Sequence, residues 1–103
     1  MTLHYSDKKQ DKILTSERLI KKTYGRLSDG IINRLSEIRA ADTLEDIPNV
    51  PPPRRHKLSG GENEWGLDVS RNYRIVICPY GKYDVNDLST IAEVKLLRIE
   101  DYH

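Results

Sequence analysis

The stretch Glu64-Trp65-Gly66-Leu67-Asp68-Val69-Ser70-Arg71-Asn72-Tyr73-Arg74-Ile75-Val76-Ile77 decides the fold. Trp65, Leu67 and Val69 recur at every second position, Ser70-Arg71-Asn72 supplies a turn, and Tyr73, Ile75 and Ile77 resume the alternation. A period of two interrupted by turn residues is a β-hairpin with one face toward a core. Downstream, residues 79–92 form a polar connector broken by Pro79, Gly81 and Asn86. Glu93 to Glu100 then reads as a last strand. Upstream, Pro48 and Pro51-Pro52-Pro53 exclude helix and favour extended chain. Residues 42–48 have room for one helical turn.

Farther upstream the period changes. Leu19, Ile20, Tyr24, Leu27, Ile31, Leu35 and Ile38 recur at steps of three and four, which predicts one long helix over about 16–41 with Ser16 as its N-cap. Gly25 and Gly30 each weaken it by roughly 1 kcal/mol relative to alanine and permit a bend. Arg18, Lys21, Lys22, Arg26 and Arg34 fall off the apolar stripe and are expected on the exposed face. A shorter helix over 7–14, capped by Ser6, precedes it. Helices followed by strands indicate an α+β fold, with the helical stripe packed on a small antiparallel sheet. The sheet's other face is left for a ligand.

The chain has 103 residues, which suits one domain. Charged residues make up 32% and hydrophobic ones 37%, so the expected core is thin. No apolar run approaches the ~20 residues of a membrane span, and the first residues carry no signal-peptide pattern. With a single cysteine, Cys78, a cytoplasmic location is expected. The net charge of +1 hides patterning: residues 1–39 hold nine basic and five acidic side chains, 54–57 are basic, and 84–103 are net acidic. Such a chain is not suited to strong sequence-independent duplex binding. A local basic cleft that reaches one strand remains compatible.

Three groups of side chains carry chemistry. Asp101-Tyr102-His103 places an acid, a phenol and an imidazole straight after a strand. An imidazole exchanges protons near neutrality; the competing reading is a solvated polar tail. Arg54-Arg55-His56-Lys57 surrounds a second imidazole with cations that could stabilise a phosphorane, or is simply a basic loop. Arg74 sits between apolar strand residues, where it must find a phosphate or a cross-strand partner such as Asp68 or Glu93. Trp65 and Tyr73 are better read as hairpin packing than as stacking platforms. His4, His56 and His103 are too dispersed for a zinc site. Use of His56, His103 and Asp101 as metal ligands is disfavoured by the neighbouring arginines. Ser59-Gly60-Gly61 lacks the context of a P-loop.

Taken in order, these segments resemble bacterial toxins of the HigB/RelE superfamily, in the plasmid-maintenance killer (HigB-like) branch. The resemblance rests on Tyr24-Gly25, Arg34-Leu35, Ile38-Arg39-Ala40-Ala41 and Leu44. It continues through Pro52-Pro53-Arg54, His56-Lys57-Leu58, Gly60, Trp65, Leu67-Asp68-Val69-Ser70, Asn72-Tyr73-Arg74-Ile75 and Ile99 to His103. It implies a RelE-like fold and the toxin of a type II toxin–antitoxin system. The implied activity is that of a ribosome-dependent mRNA endoribonuclease acting in the A site of the 30S subunit. The ribose 2′-OH attacks the adjacent phosphate, with no cofactor and no metal. It further implies a helix-turn-helix antitoxin that neutralises the toxin in a DNA-bound, autoregulating complex.

By this resemblance His56, Arg74, Asp101, Tyr102 and His103 are catalytic. His56 and His103 are the base and the acid, in either order, Asp101 orients an imidazole, and Arg74 meets the phosphate. Arg54, Arg55 and Lys57, together with Lys21 and Lys22 on the long helix, are expected to contact RNA or the ribosome. An acidic antitoxin segment is the other candidate for the two helix lysines. Ser59 stands where the family often has lysine, and the connector is longer than in the smallest relatives. A non-catalytic protein of the same fold, binding antitoxin or ribosome without cutting, is the alternative.

Overall fold

In a computed structural model, residues 1–61 and 63–102 are described. Three helices, α1 (Lys8–Leu14), α2 (Glu17–Tyr24) and α3 (Ser28–Ala40), precede the hairpin strands β3 (Trp65–Asp68) and β4 (Tyr73–Pro79) and the last strand β5 (Glu93–Asp101). Two short strands, β1 (Thr2–Tyr5) and β2 (His56–Lys57), complete a sheet of order β1-β5-β4-β3-β2. The α+β class read from the hairpin and the helical stripe is the architecture observed.

The helical segment is interrupted at one residue. Gly25 has φ 56° and ψ −120°, a conformation open essentially to glycine. It ends α2, and a 3-10 turn over Gly25–Leu27 leads into α3. Ser16 caps α2 as expected, its side chain accepting from the Leu19 amide. The cap of α1 is Asp7 and not Ser6: Asp7 Oδ1 accepts from the Gln10 amide at 2.8 Å. The Ser6 hydroxyl donates instead to the Leu96 carbonyl at 2.7 Å.

Apolar residues on the helices (Leu14, Ile20, Ile31, Leu35, Ile38) meet Leu67, Ile75, Ile77, Val94 and Leu96 of the sheet in one buried cluster. Arg34 departs from its expected exposed position. It is buried, donating to Glu37 Oε1 at 2.8 Å and to the Asp68 carbonyl at 3.3 Å. Arg18, Lys21, Lys22 and Arg26 are exposed.

The sheet is mixed rather than wholly antiparallel, because β1 adds to β5 in parallel, from Thr2 opposite Glu93 to Tyr5 opposite Leu96. Four residues are too few to show a period, and their partner lies some ninety positions away. One irregularity in β5 matters most. Val76 pairs with Arg98 while Ile77 pairs with Leu96, so Leu97 is an extra residue, a β-bulge. Before the bulge Val94 and Leu96 face the helices; after it Ile99 does. Arg98 and Glu100 are thereby turned to the opposite, open face of the sheet.

Candidate functional site

The open face gathers most of the polar residues singled out in the sequence. The register aligns Asp68, Arg74 and Glu100 across β3, β4 and β5. It also aligns His56, Gly66, Val76 and Arg98 in the next row. Residues opposite one another share a face, so the two rows project side by side.

Arg74 is the centre of the first row. Its guanidinium forms an ion pair with Glu100 at 2.6 Å and lies 4.7 Å from the centre of the Tyr102 ring. Tyr102 donates its hydroxyl to Asp68 Oδ1 at 3.3 Å or to the Arg71 carbonyl at 3.2 Å. Asp68 in turn takes a two-pronged contact from Arg54, at 2.5 Å to Nε and 3.0 Å to the second nitrogen. Arg98 bridges Glu100 and Glu64, the latter at 2.9 Å. A chain of alternating charge therefore runs from Arg54 through Asp68, Tyr102, Arg74, Glu100 and Arg98 to Glu64.

The charge states follow from this chain. Arg98 first, and then Arg74, holds the Glu100 carboxyl below the usual carboxylate range. Hydrogen bonding to Asp68 raises Arg54 above its ordinary value, and hydrogen bonding to Glu64 and Glu100 does the same for Arg98. Arg54, Arg98 and Glu100 are therefore held in their ionised forms.

His56 enters from the edge strand. Its Nδ1 lies 2.7 Å from the Arg54 carbonyl. The neutral imidazole donates there, which leaves the Nε2 lone pair free to accept a proton. The ring lies over Gly66, where a Cβ would come within 2.9 Å of both Cε1 and Nε2. Glycine at 66 is thus the seat of the imidazole. His56 and Arg74 are two strands and two residues apart, which places their Cα atoms roughly 12 Å from each other. A phosphate between them is within reach of both side chains.

The basic run divides by alternation. Arg54 and His56 serve the open face. Arg55 turns away, donating to the Ile47 carbonyl at 2.8 Å with its guanidinium 5.5 Å from the Trp65 ring. Lys57 pairs with Trp65 and is exposed. Lys21 and Lys22 lie on α2, in the helical layer. Asp101 pairs with Tyr73 and by alternation belongs with the face opposite Arg74. His103 lies outside the described residues.

Four carboxylate and guanidinium groups were not among the sequence candidates for the site: Asp68, Glu100, Arg98 and Glu64. Asp68 was legible as a partner for Arg74 across a short hairpin. Glu100 was hidden by the bulge, because unbroken alternation from Leu96 would put it in the core. Among the described residues, no three His, Cys, Asp or Glu side chains are grouped to hold a metal ion.

No family model matches the chain, and no curated protein matches it. Among solved structures, a YoeB/ParE toxin from Agrobacterium tumefaciens superposes over 100% of this chain and 100% of its own, with a TM-score of 0.60 at 12% identity. At that identity the likeness concerns the path of the backbone and not individual side chains. The chain has the fold of a YoeB/ParE toxin.

Proposed function

We propose that this chain is the toxin of a type II toxin–antitoxin system, of the HigB-like branch, and acts as a ribosome-dependent mRNA endoribonuclease. The observation that carries the reading is the open face itself. An imidazole with its Nε2 free, an arginine at phosphate reach and a phenol stacked on that arginine share one side of the sheet.

In this reading one imidazole, His56 or His103, removes the proton from the ribose 2′-OH. The 2′-oxygen bonds to the adjacent phosphorus, and the P–O5′ bond breaks. The second imidazole protonates the departing 5′-oxygen, leaving a 2′,3′-cyclic phosphate. Arg74 exchanges Glu100 for the phosphate and stabilises the added charge of the phosphorane. Tyr102 holds the guanidinium plane from its other side and presents an aromatic surface to a base. The ribosome presents mRNA to this face in the A site of its small subunit. A helix-turn-helix antitoxin neutralises the toxin, and the pair binds DNA.

Induced in cells, the wild-type chain should arrest growth, and mapped mRNA ends should fall in codon register. Arg74→Ala and His103→Ala should each relieve the arrest; arrest as strong as wild type from both would remove the assignment.

One observation favours a second reading, a protein of this fold that binds antitoxin or ribosome without cutting. Arg54, Arg74 and Arg98 are each already matched by a carboxylate. Intact transcripts together with ribosome association would establish it over the first.

A further inference from the structure

A second groove lies at the end of the sheet, where the 3-10 turn after α2 meets the β3–β4 turn. It encloses about 490 Å³ and is lined by Tyr24, Arg26, Leu27, Ser70, Arg71, Asn72 and Tyr73. Its chemistry differs from that of the rest of the surface. The four other surface cavities described here each include at least one carboxylate: Asp7 and Asp11, Glu17, the trio Glu37, Asp42 and Asp46, and Asp7 again. This groove has two guanidinium groups, two phenols, a hydroxyl and an amide, and no acid. Arg26 is exposed and has no ion-pair partner among the described residues, in contrast to the matched arginines of the open face.

The groove is also continuous with the open face. The turn that forms its floor is the segment Tyr102 grips, through its hydroxyl at the Arg71 carbonyl and its amide at the Asn72 carbonyl, 3.2 Å and 3.0 Å away. A strand leaving the neighbourhood of Arg74 and Tyr102 crosses that turn directly into the groove. An unmatched cation, here Arg26, beside aromatic rings is the combination that holds single-stranded nucleic acid: guanidinium to phosphate, ring to base.

We infer that this groove binds the mRNA strand flanking the scissile nucleotide, with Arg26 on a phosphate and Tyr24 or Tyr73 against a base. The inference rests on the nuclease reading for its substrate and goes beyond it in placing a separate binding subsite behind the hairpin turn.

The test uses the full chain and a fluorescently labelled eight-residue oligouridylate, with affinity read by anisotropy across a salt series. Arg26→Glu should weaken binding roughly three- to tenfold and lower the slope of log affinity against log salt by about 0.7, the value for one phosphate on a single strand. Arg26→Lys should restore most of the affinity. Lys12→Glu, a charge change on the exposed side of α1, should leave it unaltered. Equal weakening by Lys12→Glu would reduce the effect to overall charge and overturn the inference, as would Arg26→Glu binding like wild type.

An eight-residue oligoglutamate peptide that binds where the RNA does not would make the groove a protein-docking surface and overturn it likewise. On ribosomes, the loss should appear only on those programmed with mRNA; an equal loss on vacant ribosomes would assign the groove to ribosomal RNA. Failure of the nuclease reading looks different. Oligonucleotide binding would still depend on Arg26, while mRNA stayed uncut by wild type on translating ribosomes.

Discussion

The two faces of the sheet are built from the same strands and obey opposite rules. Toward the helices, Leu67, Ile75, Ile77, Val94 and Leu96 are wholly buried and apolar. Toward the open side, Asp68, Arg74, Arg98, Glu100 and Tyr102 meet through ion pairs and hydrogen bonds. The first face supplies stability, since each fully buried aliphatic side chain contributes about 1.5–3 kcal/mol. The second contributes little of it, because pairs this accessible are worth about 0–1 kcal/mol each. What the open face supplies is position: it holds cations and a phenol in fixed places beside one another. The contrast teaches that substitutions on the two faces should separate folding from activity.

The sharpest way to break this contrast is to delete Ile99, just beyond the bulge. Glu100 then takes the place of Ile99 opposite Ile75, toward the helices, and burying its charge costs several kcal/mol. Against a total stability of about 5–15 kcal/mol, the cooperative thermal transition should be lost by circular dichroism. A transition at the wild-type temperature would show that the register beyond the bulge does not set the faces. Next in size, Ile75→Ala on the helix face should cost about 2–5 kcal/mol. In a domain of this length that lowers the melting temperature by roughly 8 °C or more. Cleavage per folded molecule should be unchanged.

Arg74→Ala, one position away on the open face, should do the reverse. Stability should fall by about 1 kcal/mol or less, because Glu100 keeps Arg98. Cleavage of mRNA on translating ribosomes should fall on the order of 10²–10³-fold, the loss typical of one transition-state donor. Parallel losses of fold and activity in both variants would erase the distinction.

The smallest effect is one of pH. The Glu100 carboxyl titrates below its ordinary value in the folded chain. Its contribution is therefore present at and above the usual carboxylate range and is lost as pH falls through the folded value. Urea unfolding should show wild type more stable than Glu100→Gln at neutral pH, by less than about 1 kcal/mol, and the two should converge in acid. A difference that persists in acid would mean that the glutamate acts through packing and not charge.

Much of this was legible in advance, residue by residue. Ser16 as a cap, the stripe from Leu19 to Ile38, the single helical turn expected within 42–48 (a 3-10 turn over Leu44–Asp46) and the hairpin from Trp65 to Ile77 all depend on neighbours within a few positions. Spacing and turn chemistry report such neighbours directly. Arg34 was misplaced because a stripe position says nothing of a hydrogen bond to a carbonyl on another element. For the candidate site, Arg74 was identified with Asp68 and Glu93 as possible partners, and its ion pair proves to be with Glu100. His56 was identified without its seat on Gly66. Arg26 was recognised only as an exposed cation, because the groove it lines is closed by a turn some forty-five positions away.

The sequence by itself determined the α+β class, the helical stripe, the hairpin and the residue types available for chemistry. Each is encoded in local period, capping and charge. Only the tertiary structure decided the parallel addition of β1, the bulge at Leu97, the division of the basic run between two faces, and the pairing of each arginine with its carboxylate. These depend on register between segments far apart in the chain. A shift of one residue there moves every later side chain to the other face, and no local pattern records it.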